Sequence, residues 1–246
     1  MFKGLFGKKE KPTKEETRSP QEKVFFDVIN EKKKTDPLIG MKLGSKEINT
    51  RLLSALKNEK GVHIESLLGV LGSLAGYSCH AAFREMLVDS GKHKENEVFT
   101  VIECKDGKKY YFGDLPNKPL AEGQVSIWGS VAGMLQHLGE KSLPDIKATF
   151  AHVSNTIGGG SFGIPQIPDQ NKPNDLPINY VKAMWKPLLP IMDKFCDSPM
   201  ERPVLLGIAA QQAIEMGKEI LHPNLAGQLV MECAIPMSKI GPEWLE

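Results

Sequence analysis

No C-x-x-C pair occurs in the chain. Its four cysteines, Cys79, Cys104, Cys196 and Cys233, are widely spaced, and three sit in apolar stretches. That pattern predicts reduced, structural thiols in a cytoplasmic protein rather than a disulfide framework. No secretory signal with a continuous apolar core is present, and no segment offers the roughly 18–20 uninterrupted apolar residues of a membrane span. The nearest approach, Ile64 to Leu87, carries His80, Arg84 and a flanking Glu65. Net charge is also lacking: +1 over 246 residues gives no general argument for nucleic acid, and none is expected as a partner.

Complete catalytic signatures are missing as well. Histidines 63, 80, 93, 137, 152 and 222 form no H-E-x-x-H and no i, i+4 pair, so no metal ligand set and no cofactor is expected. Gly159-Gly160-Ser161-Phe162-Gly163 matches G-x-S-x-G, but a nucleophile elbow needs a strand before the serine and a helix after it. Here a helical pattern precedes the serine and Ile164-Pro165-Gln166-Ile167-Pro168 follows, so a hydrolase serine is rejected. The triple glycine also lacks the Lys-Ser/Thr of a phosphate loop; a hinge or lid loop is the reading it supports, with presentation of backbone N–H groups to an anion as the rival.

What the chain does have is organised around Ile64 to Leu87. Its apolar residues cover most of a helix circumference, which predicts a buried helix. Gly69, Gly72, Ser73, Gly76, His80 and Arg84 fall at steps of three or four and share one face. Each mid-helix glycine costs roughly 1 kcal/mol against alanine, a cost that close approach of another backbone offsets. Ser126, Gly129, Ser130, Gly133 and His137 repeat the template 57 residues later. The expectation is two small-residue seams in contact, Gly72/Gly76 against Gly129/Gly133. In an antiparallel crossing the two histidines stand roughly 18 Å apart along the axis, too far to share a metal.

Around this centre the sequence predicts a mainly α fold (α+β by strict count), a multi-helix bundle of six to eight helices with one β-hairpin at about 97–113. Residues 1–18 read as a disordered basic tail, and 19–246 as a single helical domain. Within the tail, Phe2, Leu5 and Phe6 have helical spacing among Lys3, Lys8 and Lys9, the pattern of a weak peripheral membrane contact, although Gly4 and Gly7 oppose a stable helix. Ser19-Pro20-Gln21-Glu22 is a capping box with proline in the first turn. Ser45 is expected to cap a second helix. Val98–Cys104 and Lys109–Phe112 flank Asp106-Gly107 as a hairpin. Residues 155–177 form a long connection of the kind that is often functional. Residues 178–196 read as a helix interrupted at Pro187 and Pro190, Ser198 as a further cap, and Trp244 as docking back.

The functional expectation is a cytosolic, non-catalytic interaction or regulatory protein, engaging a protein partner or a second copy of itself. The alternative is a small-molecule-binding protein or enzyme with a cleft under the 155–177 loop. For that alternative the candidate ligand-binding residues are His80, Arg84, His137, His152, Gly159, Gly160 and Ser161.

Overall fold

In the computed structural model the described residues are 19–246; the basic tail, with Phe2, Leu5 and Phe6, lies outside them. The chain divides into two compact units, Met1–Gly40 and Met41–Glu246. The first contains α1 (Pro20–Lys33), which starts as its sequence requires. Glu22 N donates to Ser19 Oγ (3.2 Å) and Ser19 N to Glu22 Oε2 (3.0 Å), with Pro20 in the first turn. Phe26 and Ile29 are buried, whereas Val24, Phe25 and Val28 stay exposed.

The second unit is mainly α with a single hairpin. It takes in α2 (Ile39–Leu56) from Met41 onward, α3 (Ile64–Phe83), α4 (Glu95–Val98), β1 (Thr100–Glu103), β2 (Lys109–Phe112), α5 (Asp114–Asn117), α6 (Ile127–His137), α7 (Ile146–Asn155), α8 (Pro177–Phe195), α9 (Glu201–Gly217) and α10 (Pro223–Met237). Ser45 does not cap α2, which begins before it. Its hydroxyl is fully buried, donating to Lys42 O (2.8 Å) and accepting from Gln212 Nε2 (3.0 Å). Asn49 Nδ2 adds bonds to Ala209 O and Gln212 Oε1, fixing α2 to α9.

α3 is buried at every residue from Ile64 to His80. By length and hydropathy Ile64–Asp89 could cross a bilayer, but 89% of its apolar window is covered by the fold. Its glycine seam is real and its partner is not the expected one. A Cβ on Gly72 would strike Val230 O, and one on Gly76 would strike Ala234 O, so both glycines admit the backbone of α10. Gly69 admits Pro173 of the long loop instead. The glycines of α6 do not join this seam. Gly129 and Gly133 are exposed, and a Cβ on Gly133 would meet nothing within 4 Å. α6 turns Ile127, Val131, Met134 and Leu135 inward, and lies on α9 where a Cβ on Gly207 would stand 3.3 Å from Ile127 Cα and 3.2 Å from Ser130 Oγ. The hydrophobic side of α6 decides its orientation, and Gly129 and Gly133 fall on the other.

α8 runs unbroken through Pro187 and Pro190. Each proline removes one ladder bond, but Ala183 and Lys186, whose carbonyls are released, lie on the exposed side where water serves them. α9 starts at Glu201 rather than beside Ser198; Glu201 Oε2 accepts from Asp197 N (2.8 Å).

The hairpin pairs Thr100 with Phe112 and Glu103 with Lys109. Its loop has three residues, 105–107, not two: Gly107 N donates to Cys104 O, Cys104 N to Lys108 O, and Gly107 takes φ +78°. Stability comes from a third chain segment. Tyr111 N donates to Lys239 O (2.8 Å), Tyr110 bridges Ile240, and Trp244 Nε1 donates to Lys109 O (2.9 Å). Trp244 does dock back, against Tyr110 and Phe162.

The 155–177 connection is latched at both ends. Glu232, buried on α10, accepts from Thr149 Oγ1 (2.8 Å) and from Gln166 N (3.1 Å). At the other end Asn171 Nδ2 donates to Glu65 and Asn174 N to Ser66 Oγ on α3. Gly158 N donates to Tyr110 OH (3.2 Å).

Candidate functional site

The C-terminal part of α3 brings Tyr77, His80, Ala81 and Arg84 to one helix face by their spacing. A π-helical turn, Arg84–Asp89, follows without a break. Its wider turn sets Arg84, Glu85 and Asp89 along a cleft of about 360 Å³ that Tyr77, Trp185 and Arg202 also line. Tyr77 and Trp185 meet edge to face, centroids 4.8 Å apart.

Arg202, at the start of α9 and 5% exposed, is the hub of an ion network. Nη1 donates to Glu85 Oε2 (2.6 Å), Nη2 reaches Glu85 Oε1 (3.4 Å), and Nε donates to Asp193 Oδ1 (2.7 Å). Burial opposes the charge, but the Glu85 hydrogen bond and the Asp193 and Glu85 charges outweigh it, holding the guanidinium above its ordinary range. Arg84 Nη2 pairs with Glu95, and its guanidinium lies 5.2 Å from the Tyr111 centroid. It too is held above its usual range, burial being overcome by the Glu95 hydrogen bond and charge.

His80 does not reach this cleft. It is fully buried, its ring 4.6 Å from both Phe99 and Tyr111. Arg84 Nε donates to its Nε2 (3.2 Å). Arginine has no acceptor, so Nε2 is unprotonated, and the ring proton of neutral His80 sits on Nδ1. That Nδ1 is buried without a partner among the described residues. Burial first, then the charges of Arg84 and Lys239, push the imidazole pKa down to about 3.

The remaining sequence candidates are dispersed. His137 is exposed at the end of α6 and lines neither cleft. His152 and Ser161 do come together, with Ile164, Pro165 and Gln166, around an open depression of about 440 Å³ formed by the 155–177 loop. His152 Nε2 is buried there without a partner among the described residues. Gly159 N is committed to Thr156 O (2.9 Å), and the left-handed glycines of the loop are Gly158 and Gly163.

Three polar groups had no sequence signal. Arg202 and the π turn are two. The third is Lys239, 2% exposed, just past the end of α10. Its Nζ donates to Asn117 Oδ1 (2.7 Å) and lies 5.4 and 5.6 Å from the centroids of Phe112 and Phe150. Burial pushes its pKa down to about 8. Nothing in the order Met-Ser-Lys-Ile announces a buried cation; only the return of this segment onto β2 creates one.

Among the described residues no three His, Cys, Asp or Glu side chains gather as a metal set. All four cysteines are free thiols. Comparison of the chain with protein-family models, with curated proteins and with solved structures gave no match.

Proposed function

We propose that this chain is a cytosolic, non-catalytic interaction or regulatory protein, and that its protein partner docks an extended segment on the outer edge of β1. The observation that carries this reading is the asymmetry of the small sheet. One edge is closed by Lys239 and Ile240. On the other, the alternation set by Cys104 N to Lys108 O and Tyr111 N to Lys239 O turns the N–H and C=O of Val101 and Glu103 away from β2. Among the described residues those groups have no partner, and Ile102 beside them is 40% exposed. An open edge of this kind is a template for strand addition. The cytosolic part of the reading is supported by four cysteines that form no disulfide with one another.

The test is Glu103→Pro. The Glu103 N–H points outward, so proline removes no β1–β2 bond but blocks an incoming strand. Partners held by the wild type in native lysate should be lost by this variant while its thermal melt is unchanged. A partner retained in stoichiometric amount would show that the edge is not the dock.

A second reading is favoured by one observation, the unpartnered His152 Nε2 beside Ser161 in the loop depression. It makes the chain a small-molecule-binding protein. A stoichiometric ligand seen by native mass spectrometry and lost in both His152→Ala and Ser161→Ala would establish it over the first.

A further inference from the structure

The cleft between the π turn, α8 and the start of α9 has two features that the ion network does not use. The first is Tyr77. It is 3% exposed and lines the cleft floor, yet its hydroxyl makes no hydrogen bond among the described residues. The second is a surplus of negative charge. Arg84 and Arg202 are the two cations present. Against them stand Glu95, Glu85 and Asp193, which pair with them, and also Asp89, whose charge acts on both Tyr77 and Arg84. Asp89 is exposed on the rim and makes no hydrogen bond or ion pair among the described residues.

We infer that this cleft binds the cationic end of an aliphatic amine or guanidine, its N–H groups donating to the Tyr77 hydroxyl and its charge neutralised by the Asp89 carboxylate. An anion is the poorer fit. The donors of Arg202 are committed to Glu85 and Asp193, and Arg84 has given Nε to His80 and Nη2 to Glu95. A phosphate would have to displace a carboxylate from a partly buried pair. A cation needs no such exchange. The site goes beyond strand addition at β1 and is independent of it.

Full-length protein titrated with n-butylammonium and with propylguanidinium, and separately with inorganic phosphate, tests the assignment. The Trp185 indole N–H resonance reports on the floor and isothermal calorimetry on affinity. The expected result is saturable binding of at least one cation, weakened roughly tenfold or more in both Tyr77→Phe, which keeps the ring, and Asp89→Asn, which keeps the shape. The relative affinity of the two probes tells an amine source from a guanidine source. No saturation below about 10 mM, tighter binding of phosphate than of either cation, or undiminished affinity in either variant would overturn the inference.

Discussion

Gly76 and Ala234 meet backbone to backbone: a Cβ on Gly76 would overlap the Ala234 carbonyl oxygen and lie within 2.7 Å of the adjoining carbonyl carbon and Cα. No side chain can move aside there, so only separation of α3 from α10 would make room. Gly76→Ala should therefore lose stability by about 1–3 kcal/mol, even though alanine favours helix by about 1 kcal/mol, and Gly76→Leu should lose more. Gly133→Ala, where the added methyl meets open space, should gain about 1 kcal/mol. Urea denaturation of the three variants measures the contrast. Equal behaviour of Gly76→Ala and Gly133→Ala would dissolve the seam.

His80 ties stability to acidity. Its pKa is about 3 in the fold, against 6.5 for an ordinary histidine. Between those values the unfolded chain binds more protons. The neutral ring's contribution is thus fully present above pH 6.5 and is lost as pH falls towards 3, at up to about 1.4 kcal/mol per pH unit. Subtracting the unfolding free energy of His80→Leu from that of the wild type at successive pH values isolates this component. The difference should be flat above pH 6.5 and fall below it.

Lys239 acts in the alkaline range. Its folded pKa of about 8 lies below the ordinary 10.5, so the unfolded chain again binds more protons in between. Relative to Lys239→Met, the wild type should gain stability as pH rises from 8 to 10.5, by about 3 kcal/mol in all. Below pH 8 the buried charge is a constant penalty, and the methionine variant should be as stable as the wild type or more so. A wild-type advantage that shrinks on going alkaline would contradict the burial of a charged amine.

Glu232 holds the long loop. Glu232→Ala removes the acceptor for Thr149 Oγ1 and for Gln166 N. The buried Thr149 hydroxyl and the part-buried Gln166 N–H lose their acceptor, so a loss of about 1–3 kcal/mol is expected. Limited proteolysis should become faster within residues 156–168 and stay unchanged in the hairpin. Unaltered cleavage would place the loop's anchorage elsewhere.

Local chemistry was legible in the sequence where the signal and the structure share the same few residues. Ser19, Pro20 and Glu22 specify a helix start by themselves, and Asp106-Gly107 specifies a reversal, although its loop closes one residue longer than the dipeptide suggested. Gly72 and Gly76 correctly announced a close backbone. They could not say whose, because small residues state a distance and not a partner; the inward set Ile127, Val131 and Leu135 sent the matching glycines of α6 to the surface. Pro187 and Pro190 misled because the carbonyls they release, on Ala183 and Lys186, fall on the exposed side of the helix. The site residues were half legible. Arg84 and Glu85 lie together at the end of the predicted helix, but their partners, Glu95 and Arg202, come from two other stretches that only packing unites.

The pairing of α3 with α10 also sets a timetable for synthesis. The surface of Ile64–Asp89 that Val230 and Ala234 will cover leaves the ribosome roughly 150 residues before they do. At about 5–20 residues per second, that is roughly 10–30 s in which the most apolar helix of the chain has no lid. The hairpin waits longer still, since Lys239 and Ile240 emerge after α10. Folding of the second unit is therefore a late, concerted event, and a chain halted before residue 230 would present a membrane-length apolar helix to whatever chaperone or bilayer reaches it first.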